Sequence, residues 1–366
     1  MKGLGFFPSA TVAQYMARLF LVRTFAILFA LVLVLQALDL LSESGNILAV
    51  KGNGQAQILH YISLRSPEII SLFLPFSVLL GTILTLVTMN QNSEIIALKG
   101  AGLSAHQVLA PLIIASFGVA IVSFAFNDRI VSRASATLAQ WKRADYGQLP
   151  IDRGDRANVW VRDGNDLVRF EQVQGRGDQV RLGGITVYDR QDGVLRSIIR
   201  APRGQRDGDG WRIGSPVLRF DVNTGRQTSA PSLIVARGVD PGQLTLAAVN
   251  ADGLSFGALR TAIDDLARSG RPTKALEGAL WHKLSGPLSS VLMPLLGAVA
   301  AFGIARSGKL FVRAVIGMAL GFAYFVADNF ALAMGDLGAY PPFLAAWAPF
   351  ILFLLIGEAV LIRTEE

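Results

Sequence analysis

Three carboxylates stand within or beside long apolar runs of this sequence. Asp39 and Asp328 fall towards the outer ends of the first and fifth runs, and Glu358 falls near the end of the sixth. Carboxylates at such depth are rare, and they often bind protons, ions or polar substrates. A carboxylate at headgroup level, in contact with water, is the alternative for Asp39 and Asp328, and we interpret Glu358 as interfacial.

No other set of residues has the spacing of an active site. Residues 303–309 fit the first seven positions of a phosphate-binding loop, but Leu310 replaces the hydroxyl that binds magnesium. The chain has no cysteine, and His60, His106 and His282 lack ligand spacing, so we expect them at interfaces or in loops. We therefore expect no catalytic residue, metal or cofactor here, and any ATP and Mg²⁺ to be bound by another chain.

Residues 92–100, between two apolar runs, are patterned as a very short helix. A serine is placed to cap it, a carboxylate and a lysine suit its dipole, and a glycine is placed to end it in the left-handed conformation. So short a helix is unstable alone in water, so we expect it to dock on protein. An ordinary turn between membrane spans is the alternative. The residues are Ser93 for the cap, and Glu94, Ile95, Leu98, Lys99 and Gly100 for docking.

The composition is that of a membrane protein. Of 366 residues, 52% are hydrophobic and 17% are charged, with a mean hydropathy of +0.44, whereas soluble domains are about 25% charged. A membrane-spanning helix needs about 20 apolar residues. Six runs qualify as predicted spans, at residues 19–41, 69–89, 103–126, 284–305, 314–334 and 343–362.

The distribution of Lys and Arg predicts the orientation of these spans. With the N-terminus inside, the short cytoplasmic flanks hold eight such residues and the short outer loops hold two, Lys51 and Arg65. This orientation places both termini and residues 92–100 in the cytoplasm, and residues 128–280 outside. The net charge of +7 does not by itself imply nucleic acid.

The long outer segment has the pattern of an antiparallel β domain. Its short β-prone stretches are separated by Asp-Gly turns, which favour hairpins, and their number predicts a sandwich or jelly roll of about a hundred residues. Residues 255–269 are patterned as a helix. The stretches are residues 159–161, 167–170, 185–188, 195–199, 211–213 and 217–220, with turns at Asp163, Asp192, Asp207 and Asp209.

The predicted fold is therefore a six-helix membrane protein with an antiparallel β-jellyroll domain, on the outer side of the membrane, inserted between helices three and four. The domains are residues 1–128 with the first three spans, 129–280 with the sheet, and 281–366 with the last three. Several cations follow the third span and could bind phosphate groups. A solvated basic helix face is the alternative for these cations, which are Arg129, Arg133, Lys142 and Arg143.

These ordered features resemble the LptF/LptG family, the permeases of the bacterial lipopolysaccharide export machine. The match covers nearly the whole chain, and its individual motifs are loose. The resemblance is carried by LPFSVLLGTILTL, SEIIALKGAG, WVRDGNDLVRF, LGGITVYD, WHKLSGPLS, GFAYFVADN and YPPFLAAWAP, in that order.

The resemblance implies a heterodimer with an LptF-like permease in the bacterial inner membrane, a dimer of an LptB-like ATPase and a bitopic LptC-like protein. It also implies that the short helix enters a groove of the ATPase, where the carboxylate of Glu94 meets a basic residue. Lipopolysaccharide would enter from the outer leaflet and pass to the periplasmic β domains.

One departure from the family concerns the outer end of the first span, where members often place lysines that hold lipid phosphates. Here Gln36, Ser42 and Glu43 surround Asp39, so the phosphate-binding role of this span is in doubt. The candidate substrate contacts are Gln36, Asp39, Phe73, Lys142, Arg143 and Asp328.

The predicted function is a non-enzymatic permease subunit of an ABC-type exporter of lipopolysaccharide. One alternative is a proton-coupled transporter that uses Asp39, Asp328 or Glu358. Another is a membrane-tethered periplasmic scaffold that binds lipid through its β domain.

Overall fold

The structure is a computed structural model that describes residues 8–147, 156–174, 180–191, 193–208, 210–237, 239, 250–268, 272–302 and 310–363. It divides into two compact units. The helical unit holds the described residues up to Gly147, Ala251–Arg260 and those from Lys274 onward. The second unit holds the sheet.

Nine helices, a π-helical turn and a 3-10 turn occupy the described residues outside the sheet. Before the sheet they are α1 (Ala10–Leu48), α2 (Gln55–Gln91), α3 (Glu94–Gly100), α4 (Ala105–Phe126), the π turn (Asn127–Val131) and α5 (Ser132–Arg143). After it they are the 3-10 turn (Ala251–Gly253), α6 (Phe256–Arg268), α7 (Lys274–Phe302), α8 (Leu310–Asp336) and α9 (Pro342–Arg363).

The first two helices are much longer than the predicted spans. The 39 residues of α1 measure about 58 Å, against about 30 Å of hydrocarbon. The predicted second span, residues 69–89, lies wholly within α2, which begins at Gln55 and continues through Pro67. The extensions persist because a small apolar core packs between them and α5; its buried members are Ile47, Tyr61, Leu138, Trp141 and Tyr146.

Five helices in the described part of the chain are long and apolar enough to cross a membrane: α1, α2, α4 continuing into α5, α8 and α9. The predicted fourth span falls within α7, whose 29 residues measure about 44 Å, long enough to cross the hydrocarbon of a bilayer. α7 packs against α2, α4, α8 and α9, so its polar side chains contact protein. The count of six spans stays a prediction.

Small residues allow the helices of this bundle to approach closely. A Cβ on Gly81 of α2 would overlap Thr24 of α1, and a Cβ on Gly297 of α7 would overlap Thr82 of α2. Close backbone approach through small residues is typical of helix packing in membranes.

The described residues of the second unit include a six-stranded antiparallel sheet whose strands pair in sequential order. This order differs from the Greek-key order of a jelly roll, so the antiparallel sheet is confirmed and the jelly-roll topology is not. The strands are β1 (Arg156–Asp163), β2 (Asp166–Gln174), β3 (Arg181–Gln191), β4 (Val194–Asp207), β5 (Gly210–Asp221) and β6 (Gln227–Val235).

One face of the sheet forms the core of this unit, including Val168, Phe170 and Ile213, each 0% exposed. The prediction of separate strands at residues 211–213 and 217–220 is wrong: both lie in β5, which has a register shift between Gly214 and Val217. A bulge accommodates the intervening proline, which cannot donate to the ladder. β6, which is largely exposed, corresponds to none of the predicted strands.

Candidate functional site

A cavity of about 330 Å³ lies in the helical unit among α2, the π turn, α5, α7 and α8. One part of its wall is polar and another is apolar. The polar wall includes Glu68, Ser71, Asn127, Asp252, His282, Lys283 and Asp328, and the apolar wall includes Leu72, Pro75, Phe76 and Phe325. Its volume is at the lower end of the range of small-molecule sites.

Asp328 is the most buried carboxylate in this cavity, with 7% of its surface exposed. Its Oδ2 lies 3.0 Å from Nε2 of His282, so the pair joins α8 to α7. Its Oδ1 is buried and has no hydrogen-bond partner. A buried acceptor without a partner loses its hydration, so it favours a ligand or water that donates a hydrogen bond.

Lys283 follows His282 on α7 and also lines the cavity. It is half-buried, and the described residues offer it no ion-pair partner within 4 Å, although Asp252 and Asp128 are near enough to attract it. Glu68 of α2 also lines the cavity and is already paired, since its Oε2 lies 2.7 Å from Nη1 of Arg65. The cavity therefore presents both an incompletely paired cation and an incompletely paired carboxylate.

The π turn brings polar groups from the end of α4 to this region. Asn127 lines the cavity and accepts a hydrogen bond from Ser71 of α2. Asp128 accepts a hydrogen bond from the backbone N–H of Phe256, at the start of α6. Single π turns within helices are frequent at functional sites.

A second polar cluster, here called the outer network, joins the extended ends of α1, α2 and α5. Asp39 accepts hydrogen bonds from the hydroxyl of Tyr61 at 2.7 Å and from Nε of Arg65 at 3.2 Å. Glu43 accepts from Lys142 at 3.0 Å and from the hydroxyl of Tyr146 at 2.7 Å. Burial, and then the bond to Glu43, raise the pKa of Tyr146, so its hydroxyl remains a donor.

The outer network changes the interpretation of three predicted substrate contacts. Lys142 is not a free cation, because it pairs with Glu43, and Asp39 is not a free carboxylate, because it pairs with Arg65. Gln36 is buried, and its Oε1 accepts a hydrogen bond from Ser66. All three therefore have internal roles in this structure.

The other predicted substrate contacts are dispersed. Arg143 follows Lys142 but is exposed. Phe73 is partly buried against the helical core, with its ring 6.3 Å from that of Phe76, which lines the cavity. Of the six candidates, the structure places Asp328 in the cavity wall.

The short predicted helix exists as α3, but its ends differ from the prediction. Ser93 has a left-handed backbone and makes no side-chain cap, so its predicted capping role is wrong. Gly100 is the last helical residue, and Gly102 instead has the left-handed backbone, with φ of +87°. The chain reverses two residues later than predicted because Gly102 can adopt this backbone without strain.

The predicted docking residues lie on two sides of α3. Ile95 is 5% exposed and Leu98 is partly buried, and both pack on the chain's own helical core. Lys99 and Gly100 are exposed, and Ile96 is 64% exposed. A partner would therefore contact the side that carries Ile96, Lys99 and Gly100, while Ile95 and Leu98 attach α3 to its own bundle.

The carboxylate of Glu94 already has neighbours within the chain. Its oxygens lie 3.2 and 3.3 Å from the hydroxyl of Tyr15, and Oε1 lies 3.3 Å from Nδ2 of Asn92. Glu358, at the same end of the bundle, lies 3.2 Å from His106 and is 42% exposed. This exposure agrees with an interfacial position.

Five residues of the cavity and the outer network are absent from the predicted site residues: His282, Lys283, Glu43, Tyr61 and Arg65. His282 and Asp328 are 46 positions apart, and no pattern along the chain marks them as a pair. Among the described residues, no group of His, Asp and Glu could hold a metal ion. Residues 303–309, with the loop-like motif, lie outside the described residues.

Comparison with known proteins gives the same relationship over nearly the whole chain. The profile of the family described as "Lipopolysaccharide export system permease LptF/LptG" matches residues 14–363. The "Lipopolysaccharide export system permease protein LptG" of Escherichia coli strain K12 is 26% identical over 310 residues, covering 83% of this chain and 84% of the relative. The protein of that name from Haemophilus influenzae is 23% identical over 328 residues, covering 85% and 87%.

Proposed function

Because the chain belongs to the LptF/LptG family of lipopolysaccharide export permeases and is most like LptG, we propose that it moves lipopolysaccharide out of the bacterial inner membrane. The single observation that carries this proposal is the family match over residues 14–363. The membrane-type helices and the inserted antiparallel sheet support it. Both termini would be cytoplasmic and the sheet unit periplasmic, as the Lys and Arg distribution predicts.

In this proposal the chain is the permease subunit of an ABC transporter and hydrolyses no ATP itself. It would form a heterodimer with an LptF-like permease and associate with an LptC-like protein. An LptB-like ATPase dimer, which binds ATP and Mg²⁺, would contact α3. The exposed side of α3 and the carboxylate of Glu94 support this contact with the ATPase. Ile95 and Leu98 pack α3 on its own bundle, so α3 would transmit a movement of the ATPase to that bundle.

The test is purification of the tagged chain from its own membranes in mild detergent. An ATPase and a second permease should co-purify in stoichiometric amounts, and ATP should release lipopolysaccharide from the complex. A chain that purifies alone, yet supports export in cells, would contradict the proposal and favour the periplasmic scaffold.

A proton-coupled transporter remains the second candidate, because Asp328, whose side chain is 10% exposed, forms an acid–base pair with His282 in the wall of a cavity. Asp39 and Glu358 do not favour it, since Asp39 is paired with Arg65 and Glu358 is partly exposed. An uncoupler applied to vesicles with ATP held constant distinguishes the two. Loss of export would favour proton coupling, and unchanged export would favour the ATPase.

The inward face of the sheet is the proposed path for acyl chains. Its central residues Val168 and Phe170 are fully buried in this structure, so a chain could enter only if the sheet opens. A photo-crosslinking residue at Phe170 should capture lipid when ATP is hydrolysed, whereas the same residue at the exposed Phe220 should not. Equal capture of lipid at both positions would contradict a path for acyl chains through the interior of the sheet.

A further inference from the structure

The cavity among α2, the π turn, α5, α7 and α8 contains two polar groups whose interactions are incomplete. Oδ1 of Asp328 is a buried acceptor without a donor, and Lys283 is a half-buried ammonium without an ion pair in the described part of the chain. Both groups line the same cavity. Removing such groups from water is unfavourable unless a ligand or ordered water compensates.

The apolar residues of the cavity lining suit a hydrocarbon chain. Phe76 and Phe325 meet edge to face, with ring centres 5.4 Å apart, and Pro75 lies beside them. Leu72 lines the cavity and is also 49% exposed. The apolar wall therefore reaches the surface of the bundle, where an acyl chain could leave the cavity and enter the bilayer.

The charges within the cavity select the kind of headgroup. An anion alone would satisfy Lys283 but would lie near the carboxylates of Asp252 and Asp328, and a cation alone would be repelled by Lys283. A headgroup that carries both an anion and a hydrogen-bond donor satisfies both unmatched groups. The volume of about 330 Å³ accommodates a headgroup and the start of its chains.

We propose that this cavity binds one phosphate-bearing amphiphile, with its phosphate at Lys283, an N–H or O–H donor at Oδ1 of Asp328, and its acyl chains along Leu72, Phe76 and Phe325. The His282–Asp328 pair holds the carboxylate in position between α7 and α8. A bilayer phospholipid and lipopolysaccharide share the required chemistry. The site lies within one chain and does not depend on export.

The test compares headgroups on the protein complex in nanodiscs, using the unaltered complex for native mass spectrometry and a variant with a photo-crosslinking residue at Leu72 for crosslinking. Phosphatidylethanolamine has both a phosphate and N–H donors, whereas phosphatidylcholine has the phosphate and no N–H donor. Native mass spectrometry and crosslinking should show about tenfold greater retention of phosphatidylethanolamine, the ratio typical of one buried hydrogen bond to a charged group. Equal retention of the two lipids would overturn the proposal.

Variants test the individual contacts. Lys283→Met and Asp328→Asn should each reduce retention of phosphatidylethanolamine about tenfold. Their matched controls, Lys274→Met and Asp336→Asn, change exposed residues at the ends of the same helices and should leave retention unchanged. Retention unaffected by both cavity variants would contradict the proposal.

A cavity-filling variant and a competition experiment complete the test. The three atoms nearest to a Cβ on Gly286 belong to the ring of His282, the closest at 3.5 Å, which is ordinary van der Waals contact. Gly286→Leu should therefore occupy part of the cavity and displace the lipid. Lipopolysaccharide added to the nanodiscs identifies the source: crosslinks that transfer to it indicate the transported lipid, and crosslinks that stay on phosphatidylethanolamine indicate a resident lipid. No crosslink to either would overturn the site.

Discussion

Reversing the charge of Lys142 distinguishes a structural cation from a substrate contact. Its ammonium lies 3.0 Å from Oε1 of Glu43, and the two side chains are 38% and 23% exposed. Lys142→Glu would place two carboxylates where an ion pair joins α5 to α1. The variant should therefore destabilise the outer network whether or not lipid is present.

The size of the effect follows from the distance and the exposure. Two unit charges about 4 Å apart interact by about 4 kcal/mol at an effective dielectric constant of about 20, and partial exposure lowers this to about 1 kcal/mol. Replacing attraction by repulsion doubles the change, so we expect a loss of about 2 kcal/mol. The double variant that exchanges the two charges, Glu43→Lys with Lys142→Glu, should recover about half of this loss of stability. The recovery is incomplete because the hydroxyl of Tyr146 still loses its acceptor.

The assay is thermal unfolding of the purified protein in detergent, with export measured in parallel. Arg143→Glu is the matched control, since Arg143 is the neighbouring residue and is exposed. It should leave unfolding unchanged and reduce export if it contacts lipid phosphate. Two results would contradict the structural role of the Lys142–Glu43 pair. In the first, Lys142→Glu leaves thermal unfolding unchanged and reduces export as Arg143→Glu does. In the second, the charge-exchanged double variant recovers none of the lost stability.

Three further predictions concern other parts of the chain. Glu94→Ala should weaken ATPase co-purification by about 2 kcal/mol or more, whereas Tyr15→Phe, which removes only the internal hydrogen bond, should not; equal losses would make Glu94 an internal residue. Phe170→Ala, at a fully buried position, should destabilise the sheet unit by about 3 to 5 kcal/mol in denaturant unfolding, while Phe220→Ala, at a 42% exposed position, should cost much less. Backbone N–H groups of the β5–β6 turn lower the pKa of Asp221, so its contribution to stability is present above about pH 4 and is lost as the pH falls. Asp221→Asn should remove the contribution of Asp221 to the loss of β6 stability at low pH, measured by amide hydrogen exchange. If the pH dependence of exchange in β6 were unchanged in this variant, the stabilising role of Asp221 would be contradicted.

Much of the fold could be predicted because it depends on patterns along the chain. Long apolar runs predict membrane helices, and Asp-Gly turns predict hairpins; Gly164 and Gly208 indeed have the positive φ that such turns require. The strand at Gln227–Val235 could not be predicted, because it is largely exposed and lacks the alternation that marks a half-buried strand. The lengths of α1 and α2 were also missed, since apolar runs mark only the part that contacts lipid.

The sequence by itself determined the class of protein, the inserted antiparallel sheet, the short helix after α2 and the family, because each depends on residue order or on local periodicity. Only the tertiary structure decided which polar groups are paired. It joined Lys142 to Glu43 across 99 positions and His282 to Asp328 across 46, and it left Oδ1 of Asp328 without a partner. The physical reason is that helix packing sets the distances between side chains far apart in sequence, and those distances determine whether a charge is neutralised, exposed or available to a ligand.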